Sequence, residues 1–150
     1  MLYTHVYMSE AAKAYARAEL DGMCAPFAAA NARHGITGMM FYVGDHFVQI
    51  LEGEREAVWQ LLTNIRHDPR NHTFRTLYHG RLTRRRYPRW NMRVMRLNDR
   101  VQLPPERLAH LKQSLRFLME GNRSREAAQR LLSELPRLIP LDYYAALRAS

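Results

Sequence analysis

The stretch HFVQILEG, His46 to Gly53, decides how this chain is read. Side chains alternate faces along a strand, so Phe47, Gln49 and Leu51 share one face and Val48 and Ile50 the other. Both faces are apolar, which describes a strand covered on both sides. Gln49 is the exception within it. A primary amide carries two N–H donors and an acceptor oxygen. Buried without partners, it costs roughly 1–3 kcal/mol. The strand therefore requires a polar partner for Gln49.

Outward from this strand the pattern is regular. Gly44-Asp45 is a hairpin turn signal linking it to ITGMMFYV, residues 36–43. LYTHVYMS, residues 2–9, alternates, with Tyr3, His5 and Tyr7 on one face and Leu2, Thr4, Val6 and Met8 on the other. Leu20, Met23, Cys24 and Phe27 have the spacing of an amphipathic helix. That helix is expected to run to about His34 and end at Gly35, with Pro26 kinking it or marking a broken start. Gly53 ends the central strand. EREAVWQLLTNIRHD, residues 54–68, predicts a second helix with Val58, Leu61, Leu62 and Ile65 as its apolar stripe. TFRTLYHGRL (73–82) and WNMRVMRL (90–97) predict a fourth and a fifth strand. The order β-α-β-β-α-β-β implies an α+β, ferredoxin-like sheet with two helices on one face.

Composition shifts at NDRVQLPPE. Pro104 and Pro105 suit a helix start, and Leu108, Leu111, Leu115 and Leu118 line one face of the helix they open. GNRSREAAQRLLSELP reads as a further turn and helix carrying Leu131, Leu132 and Leu135. These C-terminal helices are expected to cover the other face of the sheet or a partner. The division is residues 1–98 as one domain and 99–150 as a helical extension.

The chain has 150 residues, 47% of them hydrophobic, enough for one buried core. No apolar run approaches the ~20 residues needed to span a bilayer, and MLYTHVYMSE is not a signal peptide. With one cysteine, Cys24, no disulfide framework forms within the chain, which fits a cytoplasmic location. The net charge of +9 comes almost wholly from scattered arginines, the pattern of a solvated surface. Seven histidines form no H-E-x-x-H, and His67 and His72 read as surface residues. There is no G-x-S-x-G, Walker or G-x-G-x-x-G pattern. An enzyme and a metal site are therefore not expected. The rival class is a ferredoxin-like RNA-binding module, with Tyr7 and Phe47 as stacking aromatics, but DHFVQILEG lacks the basic-aromatic run such a module uses.

Several motifs together resemble the BLUF family, blue-light sensors that use FAD. HVYMS resembles the strand with the family's photoactive tyrosine. NARHGITGMMFY, FVQILEG, IRHDPRN and RRRYPRWNM resemble four further family motifs, so that the resemblance spans about residues 1–98. It implies a noncovalently held FAD whose ring lies between the two helices. It assigns Tyr7, Gln49, Trp90 and Met92 to a photoactive network. Asn31, Ile36, Asp68 and Arg70 join Tyr7 and Gln49 as cofactor-binding residues. Light-driven electron and proton transfer from Tyr7 is then implied to leave a rearranged Tyr–Gln–flavin network. Trp90 and Met92 on the last strand would report it. Three positions depart from the family's usual residues: Ala30 for Asn or His, Asn71 for His, and His5 for an aliphatic residue. With no effector enzyme expected after residue 98, output is expected through a separate response protein or a homo-oligomer, a dimer or larger ring. Membrane and nucleic acid are not expected partners.

Overall fold

The computed structural model describes residues 1–96, 104–120, Ala128 and Leu131. The chain divides into two compact units, 1–96 and 97–150. The elements of the first are β1 (Leu2–Ala11), α1 (Arg17–Arg33), β2 (Thr37–Val43), β3 (His46–Glu54), α2 (Arg55–Arg66), β4 (Asn71–Arg81) and β5 (Val94–Arg96). They build one five-stranded sheet in the order β4-β1-β3-β2-β5.

β3 runs antiparallel to both β1 and β2, and β4 antiparallel to β1. Thus β1-α1-β2 encloses β3, and β3-α2-β4 encloses β1. The two split βαβ units interleave. Connections of one hand place both crossover helices on the same face. Leu20 and Cys24 of α1 and Val58 and Leu62 of α2 accordingly pack with Tyr7, Phe47 and Leu51 in one cluster. The expected ferredoxin-like α+β architecture is the observed one. Val48 and Ile50, on the other face of β3, are fully buried too, as the two-sided apolar pattern required.

Local chemistry explains the boundaries. Gly44 takes φ +60° at the first central position of the two-residue turn closing Val43 onto His46, where a side chain is disfavoured. Gly35, φ +64°, follows the His34 cap of α1. α1 runs unbroken through Pro26. Proline removes one helical N–H, and the carbonyl left without it is that of Gly22.

β5 is shorter than expected. The strand is only Val94–Arg96, parallel to β2, and Trp90 and Met92 precede it. The Gly38 N–H donates to the Trp90 carbonyl (2.8 Å) and the Met40 N–H to the Arg93 carbonyl (2.7 Å). Two residues on β2 thus face three on the incoming segment, a bulge. It breaks the alternation that placed Trp90 and Met92 on one face of a strand.

In the second unit, α3 spans Pro105–Met119, with Leu111, Leu115 and Leu118 buried. The helix expected over 121–136 lies outside the described residues except for Ala128 and Leu131, and so does the tail.

Gly38 allows a close approach of β2 to β3. A Cβ there would lie 1.9 Å from the Ile50 carbonyl oxygen. Gly38→Ala must push β2 from β3 and is expected to destabilise the protein by roughly 3 kcal/mol or more. Urea unfolding midpoints check this, and a variant as stable as the wild type refutes it.

Candidate functional site

The interaction that satisfies Gln49 is built into the strand register. Tyr7 of β1 and Met40 of β2 are its direct cross-strand partners. The Tyr7 hydroxyl donates to Gln49 Oε1. Gln49 Nε2 donates to Met92 Sδ at 3.4 Å. All three side chains are buried. On its other side Tyr7 stacks on Phe74 of β4, with ring centroids 4.3 Å apart and planes at 18°. Burial, with the Asp68 charge adding to it, pushes the Tyr7 phenol well above its usual range. It is therefore a neutral O–H donor.

Above this row lies a cavity, part of it open to solvent. Its floor is Tyr7, Gln49, Met40 and Phe47. Met23 and Phe27 of α1 form one wall, and Leu61 and Ile65 of α2 the other. Met23 and Phe27 lie four residues apart, as do Leu61 and Ile65, so each pair stacks on one helix face. Asn31 lies one turn further along α1. Its Nδ2 donates to the Asn91 carbonyl at 2.8 Å, and Asn91 Nδ2 in turn donates to the Ile36 carbonyl at 2.9 Å. Asp68, Arg70 and Asn71 line the rim. The Arg70 guanidinium donates to both Asp68 oxygens, at 2.9 Å to Oδ1 and 2.5 Å to Oδ2, and sits 4.9 Å from the Phe27 ring centre. That pairing holds the Asp68 carboxyl below its usual pKa.

The structure thus brings Tyr7, Gln49, Asn31, Met92, Asp68 and Arg70 around one cavity. It does not bring Trp90 or Ile36 to the lining. Trp90 is half-buried and stacks on Tyr87, 5.9 Å between centroids. Ile36 is buried in the adjoining core and contributes its carbonyl to Asn91. Met23, Phe27 and Met40 read in the sequence only as core. The signal that distinguishes them is their alignment with Asn31 and Gln49, visible once the register is known.

The lining fits a flavin. Facing apolar walls suit a flat aromatic ring system, and the amides of Gln49 and Asn31 suit a polar ring edge with carbonyls and N–H groups. At the rim the Asp68–Arg70 pair offers both acceptor and donor groups to the outer part of such a molecule.

A family model described as "BLUF: Sensors of blue-light using FAD" matches residues 2–93. Photoactivated adenylate cyclase subunit beta of Euglena gracilis is 37% identical over 87 residues, covering 58% of this chain and 10% of that protein. A dark-state structure of BlrB, a BLUF protein, has 30% identity and a TM-score of 0.65, covering 89% of this chain and 96% of that one. A bacterial light-regulated adenylyl cyclase has 31% identity and a TM-score of 0.72, over 80% of this chain and 36% of that one. The chain therefore spans only about a tenth of the curated cyclase subunit.

His5 lies two residues before Tyr7 on the same face of β1. It is 1% exposed. Its Nε2 pairs with Thr76 Oγ1 at 3.0 Å, while Nδ1 is buried without a hydrogen bond among the described residues. The ring stacks on His79, at 5.8 Å, with the edge of Trp59 at 5.6 Å. Burial, then the His79 and Arg66 charges, lowers its pKa from 6.5 to about 4. The unfolded chain therefore binds a proton that the folded one refuses between those values. Folding stability is full above about 6.5 and falls as pH drops toward 4. His5→Leu should flatten this slope in urea titrations at stepped pH. An unchanged slope would show that His5 is not the group responsible.

Proposed function

The chain belongs to the BLUF family of blue-light sensors using FAD, and on that premise we propose that it is a photoreceptor whose signal begins at Tyr7 and Gln49. The observation that supports this most directly is the buried chain Tyr7 O–H to Gln49 Oε1, and Gln49 Nε2 to Met92 Sδ, on the floor of the cavity walled by α1 and α2. Gln49 and Asn31 would hold the polar ring edge, Met23, Phe27, Leu61 and Ile65 its faces, and Asp68 and Arg70 the part at the rim.

Bound FAD supplies an oxidant when it absorbs blue light. Tyr7 is the residue to give up an electron, because it is buried, neutral and π-rich beside the cavity floor. Its proton has a path along the hydrogen bond to Gln49 Oε1. An amide carries donors and an acceptor, so Gln49 can satisfy Tyr7 in more than one arrangement. A change of arrangement alters what Met92 receives. A local change of this kind becomes a signal when it biases a two-state element. Output then passes through a response protein or self-association, rather than through catalysis by these residues.

The RNA-binding alternative loses its support. Tyr7 and Phe47 are buried beneath the helices instead of forming an open stacking platform. Among the described residues no helix is long and apolar enough to cross a membrane.

Two outcomes are expected. Because no cysteine or histidine among the described residues lines the cavity, acid denaturation should release all the flavin into the filtrate. Flavin retained on the precipitated chain counts against noncovalent binding. Tyr7→Phe should keep flavin yet lose the light-induced red shift, since only the hydroxyl is removed, and Gln49→Leu should do the same. A full, reversible red shift in either variant refutes the network.

A further inference from the structure

A second buried polar group sits on β3, three residues beyond Gln49. Glu52 has no solvent exposure. Its carboxylate accepts the backbone N–H of Arg86 (2.9 and 3.0 Å) and of Tyr87 (3.2 Å). Thr37 Oγ1 lies 3.5 Å away. Arg85 closes the arrangement from the loop side. Its Nη1 donates to Thr37 Oγ1 (2.7 Å) and to the Glu52 carbonyl (3.0 Å), and its Nη2 to the Gly35 carbonyl (2.7 Å). A buried carboxylate is costly unless fully hydrogen-bonded. Here that cost fixes the backbone of one loop.

That loop leads directly to Met92. Downstream of the Glu52 grip, the Trp90 carbonyl is held by Gly38 and the Asn91 side chain by the Ile36 carbonyl. The segment from Arg85 to Asn91 is thus fastened at both ends, and the bulge at its far end points Met92 at Gln49. We propose that Glu52 is a positioning residue for the photosensor, holding the Arg85–Tyr87 loop so that the Met92 sulfur stays within reach of Gln49, and that it thereby sets the lifetime of the lit state. The inference rests on the photoactive role of Tyr7 and Gln49. With the loop fastened, the sulfur acceptor waits in place and draws the amide back in the dark. With the loop released, Met92 can withdraw, and return must wait for it.

The experiment is dark recovery of the red-shifted absorbance after a light pulse, on the full flavin-loaded chain. Glu52→Gln keeps the shape but weakens the acceptor, and Arg85→Gln cuts the same staple from the half-buried side. Both should show a red shift of wild-type size and a recovery at least about threefold slower. Ile50→Val serves as the control, since it loosens the opposite face of β3 without touching the loop, and should recover at the wild-type rate. Recovery in Arg85→Gln and Glu52→Gln at the wild-type rate or faster overturns the proposal. So does equal slowing in Ile50→Val, which would reduce the effect to general destabilisation. If Glu52→Gln does not fold, Arg85→Gln decides alone. A wild-type chain that binds flavin but gives no red shift refutes the role of Tyr7 and Gln49 itself, and the Glu52 proposal falls with it.

Discussion

The register of β3 is the constraint on which the site depends. It pairs on both edges, with β1 and with β2, and is buried on both faces. A slip of one residue would send Gln49 to the opposite face and put Val48 or Ile50 on the cavity floor. Three features prevent it. The tight turn at Gly44-Asp45 sets the phase of β2 against β3. The close approach of Gly38 to the Ile50 carbonyl leaves no room for any other residue at that place. Glu52 must reach the Arg86 and Tyr87 amides. Once this register is set, Tyr7 stands opposite Gln49 without further adjustment.

Burying an amide and a phenol in the same row has an electrostatic consequence. Neither side chain carries a formal charge, and the phenol is held protonated by its surroundings. The thioether of Met92 is a weak acceptor. No strong partner therefore pins the Gln49 amide in one orientation. Glu52 presents the opposite case on the same strand. A carboxylate tied to backbone amides and flanked by an arginine fork is strongly held. The strand thus carries a loosely committed polar group at the cavity and a firmly committed one three residues away. This division suits a sensor in which one group changes arrangement while its frame stays in place.

Much of this is legible in the sequence, for identifiable reasons. Alternation and turn chemistry mark the first four strands, because each spans at least seven residues and a period of two is then unambiguous. Helical spacing marks α1 and α2. Gln49 stands out as a lone amide in an apolar strand. The illegible part depends on counting across strands. The bulge before β5 adds one residue relative to β2, and nothing within WNMRVMRL marks it. Trp90 and Met92 therefore look equivalent in the sequence, whereas only Met92 of the two lines the cavity. Arg85 reads as one more surface arginine, because a guanidinium that binds backbone carbonyls leaves no pattern in its neighbours. Met23 and Phe27 look like ordinary core residues because a ligand slot and a core present the same apolar stripe.

The same bulge argues for how a change at Gln49 would leave the site. Moving β5 as a unit along β2 would break the bonds from Gly38 and Met40 to the Trp90 and Arg93 carbonyls and the Asn91 side-chain contact. At about 0.5–1.5 kcal/mol net for each hydrogen bond, that is several kcal/mol. Turning the Met92 side chain about its three flexible bonds leaves those bonds intact, giving up the 3.4 Å contact with Gln49 and some core packing. The motion that spares the backbone bonds is that of the side chain. Strand sliding is then the costlier course, and the first step out of Gln49 is at the Met92 side chain. The segment from Arg85 to Asn91 is itself fastened at Glu52 and at Gly38, with the exposed Pro88 and Arg89 between the two anchors.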